Sequence, residues 1–336
     1  MSNSPQFNYI ITIHNKETLI KEVINCLLIC GRDNSHIYPV LDGCTDQTEA
    51  IIDDLIKTFS HVPITKVYTP DVHEILAINA GLRAADQTGD GYNIILQDDV
   101  LLHDFLLQEK ITRLYEWARP KLGFLSFRHG ANLTPNPAAF SGIYPFKQYV
   151  ENAYGHGLPQ AEVLLPGHLA YRNIVIKSPV CIPFELTRTV GLLEEKLAPY
   201  MCDDIEYSIR SAKAGYQNGV FALRFQSDVE WGTTRTNPDS RHSQLETRNM
   251  EFIKQWHGSE IERIANAEQM DDIVEVPNMA TERDTAIALE ALKRNREQLE
   301  LFFSRQTHSN FLDRVRNKVK GTLKKLVPAY STANNS

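Results

Sequence analysis

Residues 73–100 read HEILAINAGLRAADQTGDGYNIILQDDV. Within them, 74–86 (EILAINAGLRAAD) place apolar side chains at helical spacing. Residues 92–96 (YNIIL) form a short β-rich run that ends on adjacent carboxylates, Asp98 and Asp99. A helix feeding a short apolar strand is part of a βαβ unit. The same alternation continues toward the N-terminus. Residues 64–68 (ITKVY) read as a strand and 47–59 (QTEAIIDDLIKTF) as a helix. Residues 36–41 (HIYPVL) read as a strand weakened by Pro39, 17–29 (ETLIKEVINCLLI) as a helix, and 7–13 (FNYIITI) as the first strand. The expected class is α/β, with a mostly parallel central sheet flanked by helices. Right-handed crossovers then align the strand C-termini along one edge, where open α/β sheets bind ligands.

Downstream the pattern loosens. Residues 129–166 are rich in Gly, Pro, Asn and Tyr with little periodicity, and a stretch of that length reads as a functional loop. A helix comes next at 204–214 (DIEYSIRSAKA) and a strand near 219–226. After about residue 242 the chain turns helical. Thr281 and Asp284 suit the N-terminus of a helix over 281–303, and 310–327 (NFLDRVRNKVKGTLKKLV) read as a separate basic segment. The division expected is a domain over 1–257, in halves 1–128 and 129–257, and then a helical extension over 258–336.

Composition excludes several classes. In 336 residues, 42% are hydrophobic and 23% charged, ordinary for a globular protein, and the net charge of -7 carries no nucleic-acid signature. The five cysteines (Cys26, Cys30, Cys44, Cys181, Cys202) show no zinc or CxxC spacing and read as reduced thiols. MSNSPQF lacks the basic and apolar regions of a signal peptide, and no apolar run reaches the roughly 18 residues that span a bilayer. The expected location is the cytoplasm.

The chemistry lies at the strand ends. The second strand runs into Asp42 of VLDGCTDQT, where Gly43 permits a tight turn and Thr45 or Asp46 can cap the next helix. Asp42 reads either as an Asx turn or as an acceptor for a base N–H or ribose hydroxyl. Asp98 and Asp99 repel each other unless a cation offsets them, and hard oxygen donors suit Mg²⁺ or Mn²⁺ beside a diphosphate. A solvated turn is the alternative. The third acidic pair, Asp203 and Asp204 in PYMCDDIEYSIRSAKAGY, reads as a helix N-terminus or as a general base.

Taken in order, YIITIHNKETL, VLDGCTDQTEAI, HEILAINAGLRAADQTGDGYNIILQDDV and DDIEYSIRSAKAGY resemble the family-2 inverting glycosyltransferases of the GT-A fold, over roughly residues 7–225. The resemblance implies a nucleotide-sugar donor and a single displacement with inversion. It implies that Asp42 binds the nucleotide base, that the turn Thr12–His14 lines the nucleoside pocket and that Asp98 lies near the ribose or donor sugar. Asp99 would hold Mn²⁺ or Mg²⁺ on the diphosphate. Asp204 would be the catalytic base, with Asp203 supporting it or touching the acceptor. Residues 1–128 would then be the nucleotide-sugar half and 129–257 the acceptor half.

This sequence departs from the family pattern at Gln97, where the first Asp of an Asp-x-Asp motif is usual, and in lacking an obvious later His ligand. Glu230 and Trp231 stand near that place and His242 further on.

The acceptor, expected to be a saccharide or lipid-linked saccharide in surface-polysaccharide synthesis, would meet the loop 129–166, His168, Arg172 and Trp231. Trp231 and Tyr171 suit either stacking on sugar faces or burial in the core. The segment 310–327 has apolar positions Phe311, Val315, Val319, Leu323 and Leu326 among six basic residues. It suits peripheral contact with the inner face of an anionic membrane, or docking on the protein's own acidic body. Two other readings stand beside transfer. A nucleotidyltransferase would need a glycine-rich phosphate loop that HNKETL lacks, and a non-catalytic nucleotide-sugar- or glycan-binding protein on the same sheet is kept alive by Gln97.

Overall fold

The computed structural model describes residues 4–134, 146–228, 230–231, 240–267 and 273–326, with backbone alone for 240 and for 306–326. The first third has the expected alternation: β1 (Gln6–Ile13), α1 (Ile20–Cys30), β2 (Ser35–Asp42), α2 (Thr48–Thr58), β3 (Val67–Thr69), α3 (His73–Ala84) and β4 (Gly91–Gln97). The middle holds β5 (Leu101–Leu102), α4 (Leu107–Trp117), β6 (Leu122–Ser126), β7 (His129–Leu133), β8 (Phe146–Asn152), β9 (Glu162–Leu164), β10 (His168–Tyr171), β11 (Ile174–Ile176) and β12 (Val180–Pro183). The chain ends with α5 (Phe184–Val190), a 3-10 turn (Glu195–Leu197), α6 (Asp203–Lys213), β13 (Gln217–Phe221), β14 (Phe225–Gln226), α7 (Ser240–Asn266), β15 (Ile273–Glu275) and α8 (Glu282–Leu326).

Among the described residues a nine-stranded sheet runs β15-β10-β13-β6-β12-β4-β1-β2-β3. β1 pairs in parallel with β2 on one side and β4 on the other, and β2 with β3. β12 enters antiparallel between β4 and β6, and β13 lies parallel to β6. This is the GT-A-type α/β arrangement. A smaller sheet, β11-β7-β8-β9, covers one face of the second half.

β1 is buried along nearly all its length, because helices cover both sheet faces. Tyr9, Ile11 and Ile13 pack with Ile20, Val23, Ile24 and Leu27 of α1, Ile52 and Leu55 of α2, and Ile111 and Leu114 of α4. Ile10 points the other way, into a second core with Ile75, Ile78 and Leu82 of α3, Ile205 and Ile209 of α6, and Ile253 of α7. The period-2 alternation of one strand thus joins two helical layers whose apolar residues recur at three and four.

Three details differ from expectation. Pro39 lies inside β2, a strand paired on both sides. The Ile37 N–H bonds toward the β3 side, to Pro63 O, so the Pro39 nitrogen two residues on faces that side too. It falls between the Ile37–Ile64 bridge and the start of β3 pairing at Val40, where little is lost by lacking a donor. Residues 129–166 are not one long loop: β7, β8 and β9 form from them, and 135–145 lie outside the described residues. The C-terminal segments are one helix, α8. Thr281 and Asp284 cap it reciprocally, with the Thr281 N–H donating to Asp284 Oδ2 at 2.8 Å and the Asp284 N–H to Thr281 Oγ1 at 3.3 Å. The side chains of 310–327, on which membrane contact would depend, lie outside the described residues. No helix among the described residues is long and apolar enough to cross a membrane.

Gly81 sets how closely α3 approaches the sheet. A Cβ there would lie 2.5 Å from Ile10 Cγ2 and 2.9 Å from Val40 Cγ2, both on buried β-branched side chains. Gly81→Ala raises helix propensity by about 1 kcal/mol, but overpacking of a filled core costs about 1–3 kcal/mol. We expect a net loss of up to about 2 kcal/mol in urea unfolding. A stabilised variant would mean that α3 can move off the sheet.

Candidate active site

The C-terminal ends of β1, β2 and β4 open onto one cleft of about 980 Å³, closed from the other side by the N-termini of α6 and α7. Thr12, His14, Asp42, Asp98, Asp99, Asp203, Asp204 and Trp231 all line it. His168 and Arg172 do not line it. They lie at β10, beyond β6 and β13 in the sheet. His168 has Nδ1 3.2 Å from Pro166 O, and the buried Arg172 guanidinium bonds to Gln148 O and Tyr171 O at 2.7 Å.

The turns after β1 and β2 are stitched together. Asn15, at φ 47°, accepts the Thr45 N–H on Oδ1 at 2.8 Å. Asp46 accepts the Glu17 N–H at 3.0 Å, Glu17 accepts the Gln47 N–H at 3.0 Å, and Thr48 Oγ1 accepts the Lys16 N–H at 2.8 Å. The polar residues of DGCTDQT therefore hold the turn after β1 as well as starting α2.

Asp42 is buried and its carboxylate accepts three hydrogen bonds. Oδ1 takes Thr69 Oγ1 and the Val72 N–H, each at 2.7 Å, and Oδ2 takes the His73 N–H at 2.8 Å. These bonds shape the turn into α3. Oδ2 keeps room for one more donor from the cleft.

Asp98 accepts the His14 N–H at 3.0 Å and lies 3.3 Å from Lys16 Nζ. Burial pushes its carboxyl up to about 6, against the pull of Lys16 and the His14 N–H. Asp99 differs: its Oδ1 is buried and has no hydrogen-bond partner among the described residues. A buried carboxylate oxygen without a donor is costly and fits a divalent cation. His14, Asp42 and Asp71 form the group of three whose ligand atoms lie within 4.8 Å of one another. That group suits a metal less well, because the Asp42 oxygens are engaged and His14 Nδ1 sits 2.7 Å from Asp42 O. A cation on Asp99 would draw its remaining oxygens from a bound diphosphate.

Across the cleft, Met201 (φ 83°) and Cys202 (φ 65°) are successive non-glycine residues in left-handed conformation. Each costs about 1–3 kcal/mol and persists only when its surroundings hold it. The holder is Asn249 of α7, fully buried, whose side-chain amide donates to Leu197 O, Tyr200 O and Met201 O at 2.8, 3.1 and 2.8 Å. The turn delivers Asp203 and Asp204 to the first turn of α6. Asp204 Oδ1 accepts the Ile205 N–H at 2.9 Å, and Oδ2 accepts the Lys177 N–H at 3.3 Å. Burial and the neighbouring Asp203 charge raise the Asp204 carboxyl well above the ordinary carboxylate range, against Lys177. Asp203 Oδ2 is 2.5 Å from Lys177 Nζ.

Sequence reasoning passed over Lys177, Glu74, Asn249 and the wall formed by Tyr200, Arg241, His242 and Glu246. Lys177 alone carried a signal, a single charge in the apolar run IVIKSPVC. His242, named only as lying further on, reaches the cleft through α7.

Residues 9–120, which include the ends of β1, β2 and β4, match the family described as Glycosyl transferase family 2. This bears out the resemblance carried by the strand-end motifs and points to glycosyl transfer. No curated protein sequence matches the chain. Similar solved structures include S. aureus TarS, 15% identical with a TM-score of 0.43, covering 66% of this chain; this chain spans 36% of that one. Another is the mannosyltransferase PcManGT from Pyrobaculum calidifontis in complex with GDP-Man and Mn²⁺, at 15% identity and a TM-score of 0.49, covering 88% of this chain and 74% of that one. A third is S. aureus TarS 1–349 in complex with UDP, at 16% identity and a TM-score of 0.43, covering 66% and 60%.

Replacing Asn249 with Ala strips three carbonyls of their donor at a strained turn. The expected loss is about 2–3 kcal/mol in denaturant unfolding, with slower donor turnover. Unchanged stability would show that the turn holds itself.

Proposed function

We propose that the protein is an inverting glycosyltransferase that moves a sugar from a nucleoside-diphosphate donor to a hydroxyl of a saccharide or lipid-linked saccharide. The supporting observation is convergence: three acidic motifs far apart in sequence meet in one cleft at the strand ends, beside a family match that covers its donor side. In this reading Asp42, Thr12 and His14 receive the nucleoside, and Asp98, held by Lys16 and the His14 N–H, faces the ribose or donor sugar. Asp99 offers its unpartnered Oδ1 to Mn²⁺ or Mg²⁺. A cation bound there would offset charge growing on the leaving diphosphate.

The remaining work falls to the chain's own side chains. Asp204 takes the proton of the acceptor hydroxyl as its oxygen attacks the anomeric carbon. The bond to the diphosphate breaks on the opposite face, the electron pair leaves with the diphosphate, and configuration inverts. Asp203 supports the base. Trp231 and the α7 wall bound the acceptor side. The proposed setting is surface-polysaccharide synthesis in the cytoplasm, at the membrane's inner face through 310–327, a placement that rests on the basic pattern of that segment.

The test is binding and hydrolysis of UDP-, GDP- and dTDP-sugars by the purified chain, with and without Mn²⁺. We expect Asp99→Ala to lose Mn²⁺-dependent binding, and Asp204→Asn to bind donor but turn over at least ~100-fold more slowly. Absence of binding to every donor would favour a non-catalytic protein and remove the cation assignment.

The pH profile gives a separate check. A base whose pKa is raised is protonated, and inactive, to a higher pH than an ordinary aspartate near ~3.9. The rate should therefore climb with pH through roughly 5–8 rather than 3–5. A flat profile over that range would mean that no carboxyl raised in this way controls the rate. For the membrane, the full chain should sediment with anionic liposomes and a chain lacking 309–336 should not; equal sedimentation would refute the contact.

A further inference from the structure

Lys177 lies where the chain passes from β11 to β12, with its side chain 9% exposed. Nζ is 2.5 Å from Asp203 Oδ2 and 3.3 Å from Glu74 Oε2. Its backbone N–H donates to Asp204 Oδ2. Glu74 Oε1 accepts from Gln97 Nε2 at 2.5 Å, and Gln97 adjoins Asp98. A chain of contacts, Gln97–Glu74–Lys177–Asp203, therefore crosses the cleft floor from the end of β4 to the start of α6.

A buried ammonium has given up its hydration and needs anions at close range. Lys177 has three carboxylates about it, Asp203, Glu74 and Asp204. Burial works to lower its pKa and these carboxylates outweigh burial, so it stays charged. A lysine paired this way has no freedom to wander, and its backbone is fixed with it. That backbone N–H is one of two donors that set the Asp204 carboxylate.

We propose that Lys177 is a positioning residue for the transfer step: through Asp203 and its own backbone N–H it holds Asp204 at a fixed place relative to the donor carboxylates, with Glu74 and Gln97 as the link to them. The inference rests on Asp204 being the base. It also gives Gln97 a function. An aspartate at 97 would set a carboxylate against Glu74, whereas the Gln97 amide donates to it.

The alternative is that Lys177 only neutralises buried charge. The plateau kcat, read above the acid limb, separates the two, because loss of charge alone moves only the limb. The readout is hydrolysis of the preferred nucleotide sugar by the full chain. Lys177→Met should lower kcat at least ~10-fold with donor KM within ~3-fold, and should move the acid limb upward by about one pH unit, since a cation beside the base is lost. The other titratable or charged groups lining this end of the cleft are Glu74 on α3, His129 on β7, and Arg241, His242 and Glu246 on α7. None of them changes in the variant.

If Lys177→Met fails to fold because Asp203 is left unpaired, Lys177→Met with Asp203→Asn removes both charges and is compared with Asp203→Asn alone. An action through Asp203 predicts that the double variant is little slower than Asp203→Asn. Multiplying losses would overturn the route through Asp203. Glu74→Gln, which keeps the Lys177–Asp203 pair, should reduce kcat less than Lys177→Met. Wild-type plateau kcat in Lys177→Met, whether or not the acid limb moves, would overturn the proposal while Asp204→Asn stays inactive. Wild-type hydrolysis by Asp204→Asn would instead remove the base reading, and this inference with it.

Discussion

Parallel pairing of β1 with β2 and with β4 governs the rest of the molecule. Thr12 lies level with Val40 on one side and with Gln97 on the other, so the three strands end within about a residue or two of one another. The residues just past each strand are then forced into the same space: His14 and Lys16 after β1, Asp42 at the end of β2, and Asp98 with Asp99 after β4. Carboxylates crowded at a low-dielectric edge are unfavourable unless each is answered. Asp42 is answered by three donors, Asp98 by Lys16 and a backbone N–H, and Asp203 across the cleft by Lys177. Asp99 Oδ1 and the second oxygen of Asp203, Oδ1, have no hydrogen-bond partner among the described residues; the Asp99 oxygen lies where the proposed reading puts a cation and a diphosphate.

The α6 side of the cleft is built on a different principle. Its acidic pair is carried by a short strained turn, and the strain is held by α7. Asn249 grips three carbonyls of that turn, Arg248 adds a bond to Ala198 O at 2.6 Å, and His257 lies 3.0 Å from Glu206 on α6. The side formed by the ends of β1, β2 and β4 thus depends on sheet register, which is rigid, and the α6 side on one helix docking against another. The same helix brings His242 and Glu246 into the cleft, so the clamp and the wall are one element.

This split explains what could be read from sequence. Strand ends are local signals: an apolar run that stops on Asp42 or Asp98 announces both the strand and the residue at its edge. The helices that cover β1 showed their faces through spacing at three and four. Non-local contacts gave no such sign. Glu74 reads as an ordinary acid at a helix start, and Asn249 as one polar residue in a polar helix; both matter because of residues 23 and 49 positions away. Residues 129–166 misled because the three strands described there, β7, β8 and β9, pair in a small separate sheet and not in the alternating strand–helix pattern of the first third. From sequence, His168 and Arg172 are expected to meet the acceptor, and the structure instead sets Arg172 to bind backbone carbonyls away from the cleft.

Gln97 carries the last step. Taken alone, an amide in place of a metal-motif aspartate looks like a loss, and it sustained a non-catalytic reading. In the fold its Nε2 donates to Glu74, its backbone N–H donates to Ser178 Oγ at 3.0 Å, and Ser178 directly succeeds Lys177. Gln97 therefore touches the segment that holds the acidic pair of α6 from two directions. An ionised aspartate has no donor for Glu74, and it would add a charge to a site already rich in carboxylates. The departure is better understood as a change of partner. The position that carries an aspartate in the family pattern serves, in this chain, the lysine-centred contacts on the cleft floor, and Asp99 keeps an oxygen with no hydrogen-bond partner among the described residues.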